Sequence, residues 1–264
     1  MTSQAYVHHA SKTLVFWTYK GACTSLVHAL AYDLFEMPMD DVDPRIKLDP
    51  MLVPCTDAVD LTLNGYRSIG LIRDPWERLV SAYLHILVNR DGVPIRTADD
   101  LEGSGRRGHA AISGGAQEFS GVTFRSFIEH CLTGIEQRNP EPDLDPHWNT
   151  QIPFFFLERE FQYDHLFPLA RMSEFYATLS ELVGKPVSER RVNVHHREAR
   201  RAMNLVDTNS LEYCDDSSLR HIQNFEDARL RGAVEQAYKP DYHYYSPLVS
   251  TSPALFRLAG GGRG

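Results

Sequence analysis

The chain has 264 residues, 42% of them hydrophobic, enough to bury a sizeable core and a better fit to one large domain than to two small ones. Its formal net charge of −8 gives no general electrostatic reason to bind nucleic acid or an anionic membrane, so any anion site must be local. No run approaches the roughly 18 apolar residues of a membrane span, the opening MTSQAYVHHASK lacks a signal-peptide pattern, and Cys23, Cys55, Cys131 and Cys214 show no CxxC pairing, so the expectation is a cytoplasmic protein with unpaired thiols and no metal cluster.

Leu14 to Thr18 reads as a buried strand, and Ser25 to Phe35 as a helix in which Leu26, Leu30, Leu34 and Val27, Ala31, Phe35 recur every four residues. Between them lies TYKGACTS, residues 18 to 25. The proline-marked region from Glu36 to Gly65 predicts loops with one short helix or strand. Ser68 to Ile72 predicts a second strand. It is followed by Arg73, then Asp74 suited to a helix N-cap, Pro75 to the first turn, and the stripe Trp76, Leu79, Val80, Tyr83, Leu87. The glycine- and charge-rich stretch from Asn89 to Gly121 has no sustained apolar period and is read as a mobile insertion, in the position of a lid. A helix is expected over Val122 to Leu132, a strand over Tyr163 to Leu169, a helix capped by Ser173 and stopped by Gly184, and a last helix near Phe225 to Tyr238. The tail at 256–264 is expected to be disordered. Strand-helix alternation of this kind predicts an α/β fold, a P-loop-like parallel sheet flanked by helices in a single domain.

The strand-loop-helix around TYKGACTS is one candidate anion site. Unpaired backbone N–H groups at a helix start attract anions. Gly21 and Ala22 let the backbone come close, Thr24 and Ser25 offer hydroxyls beside Cys23, and Lys20 adds positive charge. Equally open from this segment alone, Gly21 serves a turn, Lys20 is solvated and Ser25 caps the helix. The order of residues is not that of a Walker loop. In the second candidate, GLIRDPWERLVSAY at 70–83, Arg73 ends a strand. Ser81 lies seven residues beyond Asp74, close to two turns, and so shares its face away from the core stripe. The bland alternative pairs Arg73 with Asp74 or Glu77 and leaves Ser81 idle.

At these two segments the chain resembles the sulfotransferases that use 3′-phosphoadenosine 5′-phosphosulfate (PAPS), in their carbohydrate-type branch. TYKGACTSL is similar to the branch's 5′-phosphosulfate loop and IRDPWERLVSAY to its 3′-phosphate segment. DPHWNTQ at 145–151 resembles its Asp-x-His-Trp-x-x-Gln element, YDHLFPLARMSEF its later strand and helix, and YKPDYHYYSP at 238–247 its closing segment. Tyr19 and Thr150 stand where prolines are common in the branch. The resemblance implies PAPS as co-substrate with no metal, and a hydroxyl of a carbohydrate or glycoconjugate as acceptor. Lys20 would contact the 5′-phosphate and bridging oxygen. Gly21, Ala22, Cys23, Thr24 and Ser25 would hold the phosphosulfate, and Arg73 and Ser81 the 3′-phosphate. An acceptor hydroxyl needs a base, and His147 is the first choice, with Asp145 and Glu158 weaker candidates; an orienting or core role beside Trp148 remains open for it. His8, His9, His195 and His196 read as surface residues. Arg190, Arg191, Arg197, Arg200 and Arg201 read mostly as a solvated face, with Asn193 in the part that resembles the family's nucleotide-covering loop. Two other classes compete: a P-loop nucleotide-dependent kinase, which lacks an evident Walker lysine and magnesium ligand, and a noncatalytic nucleotide- or glycan-binding module.

Overall fold

The protein is described by a computed structural model over residues 4–21, 23–90, 93–101, 103–113, 120–136, 145–190, 203–216, 219 and 221–250. The first strand, β1 (Gln4–His8), turns back through His9–Ser11 into β2 (Thr13–Phe16). After a loop, α1 (Cys23–Ala29) runs on into a π-helical turn at Leu30–Leu34. There follow α2 (Pro44–Leu48), β3 (Leu52–Pro54), α3 (Cys55–Leu63), β4 (Arg67–Ile72) and α4 (Pro75–Tyr83), the last extended by a π-helical turn at Leu84–Val88. A short ribbon of β5 (Asn89–Arg90) and β6 (Val93–Pro94) leads to α5 (Gly103–Ile112) and α6 (Phe124–Glu136). Then come α7 (Phe154–Glu158), β7 (His165–Pro168), α8 (Met172–Val183), α9 (Ala228–Ala237) and α10 (Lys239–Ser250).

The main sheet has the order β3-β1-β2-β4-β7. Strands β2, β4 and β7 are mutually parallel, with Phe16 opposite Gly70 and Ile72 opposite Pro168, while β1 is antiparallel to both of its neighbours. The predicted α/β sheet is therefore present, mixed only at β1. Every residue of β2 is buried, as expected for a strand covered on both faces. Period-two alternation sends Val15, Ile69 and Leu71 to the face covered by α1 and α8, where they pack with Leu26, Leu30, Phe175 and Leu179. Leu14, Phe16 and Ile72 go to the other face, against Phe156, Phe161 and Tyr244. A third cluster joins Trp76, Leu79, Val80 and Tyr83 of α4 to Phe124 and Phe127 of α6, Val234 of α9 and Trp148.

The start of α4 is built as its residues predict: Asp74 accepts a hydrogen bond from the Glu77 N–H at 3.0 Å and Pro75 opens the helix. At α8 the expectation needs correction. The helix starts at Met172 with Arg171 at its N-cap, and Ser173 lies inside it, donating its hydroxyl to Glu189 Oε2 at 2.9 Å. A 3-10 turn at Leu169–Arg171 feeds the helix directly, so no side-chain cap is used. Gly184 does end it, in the left-handed region at φ 72° that glycine adopts without cost. The Asn89–Gly121 stretch, read as irregular, holds the β5–β6 ribbon and the ten-residue α5. Cys55 and Cys131 are buried free thiols. The arginine-rich segment at 191–202, with Arg191, Asn193, His195, His196, Arg197, Arg200 and Arg201, and the tail at 256–264 lie outside the described residues. Among the described residues no helix is long and apolar enough to cross a membrane.

Arg190, just before that segment, does not lie on a solvated face. Its Nη2 donates to Asp33 Oδ1 at 2.6 Å, and the Ser188 N–H reaches Asp33 Oδ2 at 2.9 Å. Burial would raise the Asp33 pKa, but the two hydrogen bonds and the Arg190 charge outweigh it and hold the carboxyl below its ordinary 3.8. An acid depressed in the fold contributes stability above its unfolded pKa and loses it as pH falls through the folded value. Asp33→Asn is expected to lower the unfolding free energy by about 0.5–1 kcal/mol at pH 7, allowing for screening of a partly exposed pair. The difference should begin to shrink as pH falls past the ordinary value of 3.8 and close only below the depressed folded value. Urea melts at pH 7 and through that acid range check this, and a pH-independent loss would remove the ionic explanation.

Candidate active site

The end of β2 passes through a tight turn in which the Gly21 N–H donates to the Thr18 carbonyl at 3.2 Å. Lys20 occupies the left-handed region at φ 62°, a conformation a lysine rarely adopts. Gly21 is required by space: a Cβ there would lie 2.7 Å from Thr18 Oγ1. Gly21 therefore does serve a turn, as the alternative reading held. Ser25 is buried and lies within α1, which opens at Cys23, so it is not the helix cap. Thr24 Oγ1 accepts from Arg45 Nη2 at 3.1 Å, which brings a second cation to this loop from the start of α2. Ala22 and the Cys23 side chain lie outside the described residues.

The adjacent parallel strand β4 ends at Ile72, and Arg73 follows. Its Nη1 donates to the Lys20 carbonyl at 3.2 Å, so the two candidate anion segments meet at one edge of the sheet. Arg73 Nε lies 3.7 Å from Glu77 Oε2, beyond hydrogen-bonding distance, and is buried with no acceptor among the described residues. Burial pulls the Arg73 pKa below the usual arginine range, with Glu77 opposing the shift. Ser81 lies one turn beyond Glu77 on the same face of α4 and is half-buried; its hydroxyl makes no hydrogen bond to the side chain or backbone of another described residue, and no contact places it against Arg73.

Gln151 fastens this arrangement. Its Oε1 accepts from the Arg73 N–H at 3.0 Å and the Thr18 hydroxyl at 3.4 Å, and its Nε2 donates to the Arg73 carbonyl at 2.8 Å and to Asp241 Oδ2 at 3.3 Å. Both acceptor positions and both donor hydrogens of the amide are thereby used. Asp241, fully buried on α10, also accepts the backbone N–H groups of Gln151 at 2.9 Å and Ile152 at 2.8 Å. Burial raises its pKa, opposed by Arg78 and by these hydrogen bonds.

His147 lies in the segment that Gln151 ends. Its Nδ1 is 2.6 Å from Asp145 Oδ1, and its backbone N–H donates to the same oxygen at 3.0 Å. The Asp145 side chain is only 3% exposed. The imidazole stands 4.7 Å, centroid to centroid, from the Tyr19 ring, beside Lys20. Arg78, buried within α4, spans the gap by donating to the carbonyls of Tyr19 at 3.5 Å, His147 at 3.0 Å and Asn149. With Asp145 holding Nδ1–H, the basic nitrogen of a neutral imidazole is Nε2. The site thus combines a cationic, glycine-turned loop with a histidine in a geometry suited to proton transfer.

The structure brings together the loop that carries Lys20 and Thr24, Arg73 through the Lys20 carbonyl, and His147 through the Tyr19 ring. Glu158, a weaker base candidate, closes α7, and no hydrogen bond or ion pair among the described residues joins it to this group. Sequence reasoning missed Arg45, Arg78, Asp241 and the clamp made by Gln151. Gln151 stood within a quoted motif; Arg78 stood on a helix whose core stripe did not include it, so nothing local marked it as buried.

Residues 51–246 match the Sulfotransferase family. That span takes in Arg73, Ser81, Asp145, His147 and Gln151, and it begins after the Lys20 loop. Comparison with curated proteins and with solved structures found no match. With well over half of the chain matched, and with the sheet and the Arg73 and His147 segments built as described, the chain belongs to the Sulfotransferase family, transferases of sulfuryl groups.

Proposed function

We propose that the protein moves the sulfuryl group of PAPS to a hydroxyl of a carbohydrate or glycoconjugate. The observation that carries this reading is the bond from Arg73 to the Lys20 carbonyl, because it sets two cationic segments side by side on neighbouring strands. A ribose phosphorylated at its 3′ and 5′ positions presents two anions a sugar ring apart, and such a pair of segments can grip both. The buried Arg73 Nε without an acceptor supports an anion there, since a buried donor left unpaired costs about 1–3 kcal/mol. Glu77, beside that guanidinium, must give way to a phosphate.

In this reading Arg73 and Ser81 hold the 3′-phosphate, a task suited to a guanidinium fork. The loop from Gly21 to Ser25 holds the phosphosulfate, with Arg45 adding charge at Thr24. The donor supplies an activated sulfur–oxygen bond to a phosphate leaving group. Lys20 neutralises the charge that gathers on that phosphate. His147 Nε2 takes the acceptor's hydroxyl proton as the new oxygen–sulfur bond forms, and Asp145 stabilises the resulting imidazolium. The work is positioning and charge stabilisation, as in phosphoryl transfer, and needs no covalent enzyme intermediate.

Thermal melts with adenosine 3′,5′-bisphosphate and, separately, ATP with magnesium test the donor. At about a hundred times its Kd the bisphosphate should stabilise the fold by about 2.7 kcal/mol without any metal. Stabilisation by ATP only with magnesium would favour the kinase reading and overturn this one. Transfer of labelled sulfonate to a panel of glycans, lipids and phenols then tests the acceptor class.

A further inference from the structure

The stretch GSGRRGHAAI, which offers no apolar period in the sequence, forms α5 and docks against the His147 segment. Gly105 and Gly108 lie three residues apart on one face of the helix. A Cβ at 105 would stand 2.8 Å from the Ile86 carbonyl oxygen, and one at 108 would stand 3.0 Å from the Trp148 ring, so both glycines are needed for the close approach. Between them Arg107 extends over the same segment, and its Nη2 donates to Asp145 Oδ2 at 3.0 Å. The other oxygen of that carboxylate holds His147 Nδ1. The buried Asp145 carboxylate is therefore shared between a guanidinium that is 71% exposed and the imidazole.

We infer that α5 is a positioning element for His147 and Arg107 a positioning residue that acts through Asp145. The inference rests on the reading of His147 as the base. Arg107 fixes the rotation of the Asp145 carboxylate, so Nδ1–H has one acceptor direction. It also offsets part of the carboxylate's charge, so a change at Arg107 is felt at the imidazole through Asp145. Among the described residues, Asp145 from its own segment and Tyr19 from the loop after β2 contact the imidazole, Arg78 from α4 binds the His147 carbonyl, and Arg107 from α5 reaches the ring through Asp145; His130 of α6 stands against the neighbouring Trp148, 6.5 Å between centroids. Of these, Arg107 alone sits on a segment that sequence reading assigned to an insertion, so the insertion becomes part of the site's machinery.

The test is an NMR titration of the His147 ring in the full chain, comparing wild type with Arg107→Ala, Arg107→Lys and Arg106→Ala. Arg106 is a fair control because it donates to the Leu101 carbonyl within its own segment. Removing the Arg107 charge should displace the His147 ring titration upward relative to wild type, by less than loss of a direct charge partner would because the guanidinium is largely solvated. The lysine variant should restore most of the shift and the Arg106 variant should cause none. In turnover, Arg107→Ala should lower kcat by about tenfold with donor KM little changed, and should move the acidic limb of the pH profile upward. A His147 pKa unmoved in Arg107→Ala, or moved equally in Arg106→Ala, overturns the inference. A shifted pKa in a protein that transfers no sulfonate to any acceptor would leave the positioning role standing and sink the proposed function instead.

Discussion

Lys20→Ala is expected to fold as the wild type does and to lose about 10²–10³-fold in kcat, the size of effect seen when one group that stabilises developing charge is removed. A second substitution separates chemistry from folding. The backbone at Lys20 lies at φ 62°, where a side chain costs about 1 kcal/mol relative to glycine. Lys20→Gly should therefore raise the melting temperature while lowering turnover to the same extent as alanine. Opposite movement of the two readouts would show that strain is maintained at this position for the sake of the ammonium group. Turnover within tenfold of wild type in either variant would remove Lys20 from the reaction.

The largest loss of stability is expected at Arg78. Its guanidinium is buried, and its hydrogen-bond partners are the neutral carbonyls of Tyr19, His147 and Asn149, with Asp241 an opposing charge that acts on it. Burial pulls its pKa below the usual arginine range. Arg78→Ala would strand these carbonyls away from water and leave a cavity. The cost should be about 3–5 kcal/mol, or roughly 10 °C in Tm for a chain of this size. Arg78→Lys should recover only part, since one ammonium cannot reproduce the planar fork. The fraction that remains folded should also turn over slowly, because the Tyr19 and His147 segments are no longer tied together. Melting with the wild type in both variants would show that the carbonyls are satisfied by other means.

The features legible from sequence were those set by neighbours along the chain. The β2–α1 handover followed from an apolar run and a four-residue repeat, and the Asp74–Pro75 helix start from capping chemistry that acts within one turn. Local rules failed where the tertiary structure overrode them. Helix α5 carries glycines that a propensity argument counts as breakers, yet Gly105 and Gly108 are there to let the helix approach Ile86 and Trp148. Helix α10 was named in the sequence only as a segment resembling a closing element, with no helix assigned, though neither of its prolines forbids one. Pro240 is the second residue of the helix, where its missing N–H costs nothing, and Pro247 falls in the last turns. The candidate site divides in the same way. Lys20, Arg73 and His147 were named from residue type and motif. Arg78, Asp241 and Arg107 could not, because a charged side chain in a helix looks solvated until the partner that buries or binds it arrives from elsewhere in the chain.

The Gln151 clamp has one further consequence. It joins the Arg73 strand end to the His147 segment through a neutral amide that reads both the N–H and the carbonyl of a single residue, backed by a carboxylate sealed from solvent. Dissolved ions screen exposed charges strongly and sealed or neutral contacts hardly at all. Ionic strength should thus weaken capture of a doubly anionic ligand while leaving the shape of the empty cradle unaltered. Substitution by glutamate, nearly identical in outline, would set an oxygen against the Arg73 carbonyl and against Asp241, so a single atom at this position decides whether the two halves of the cradle stay in register.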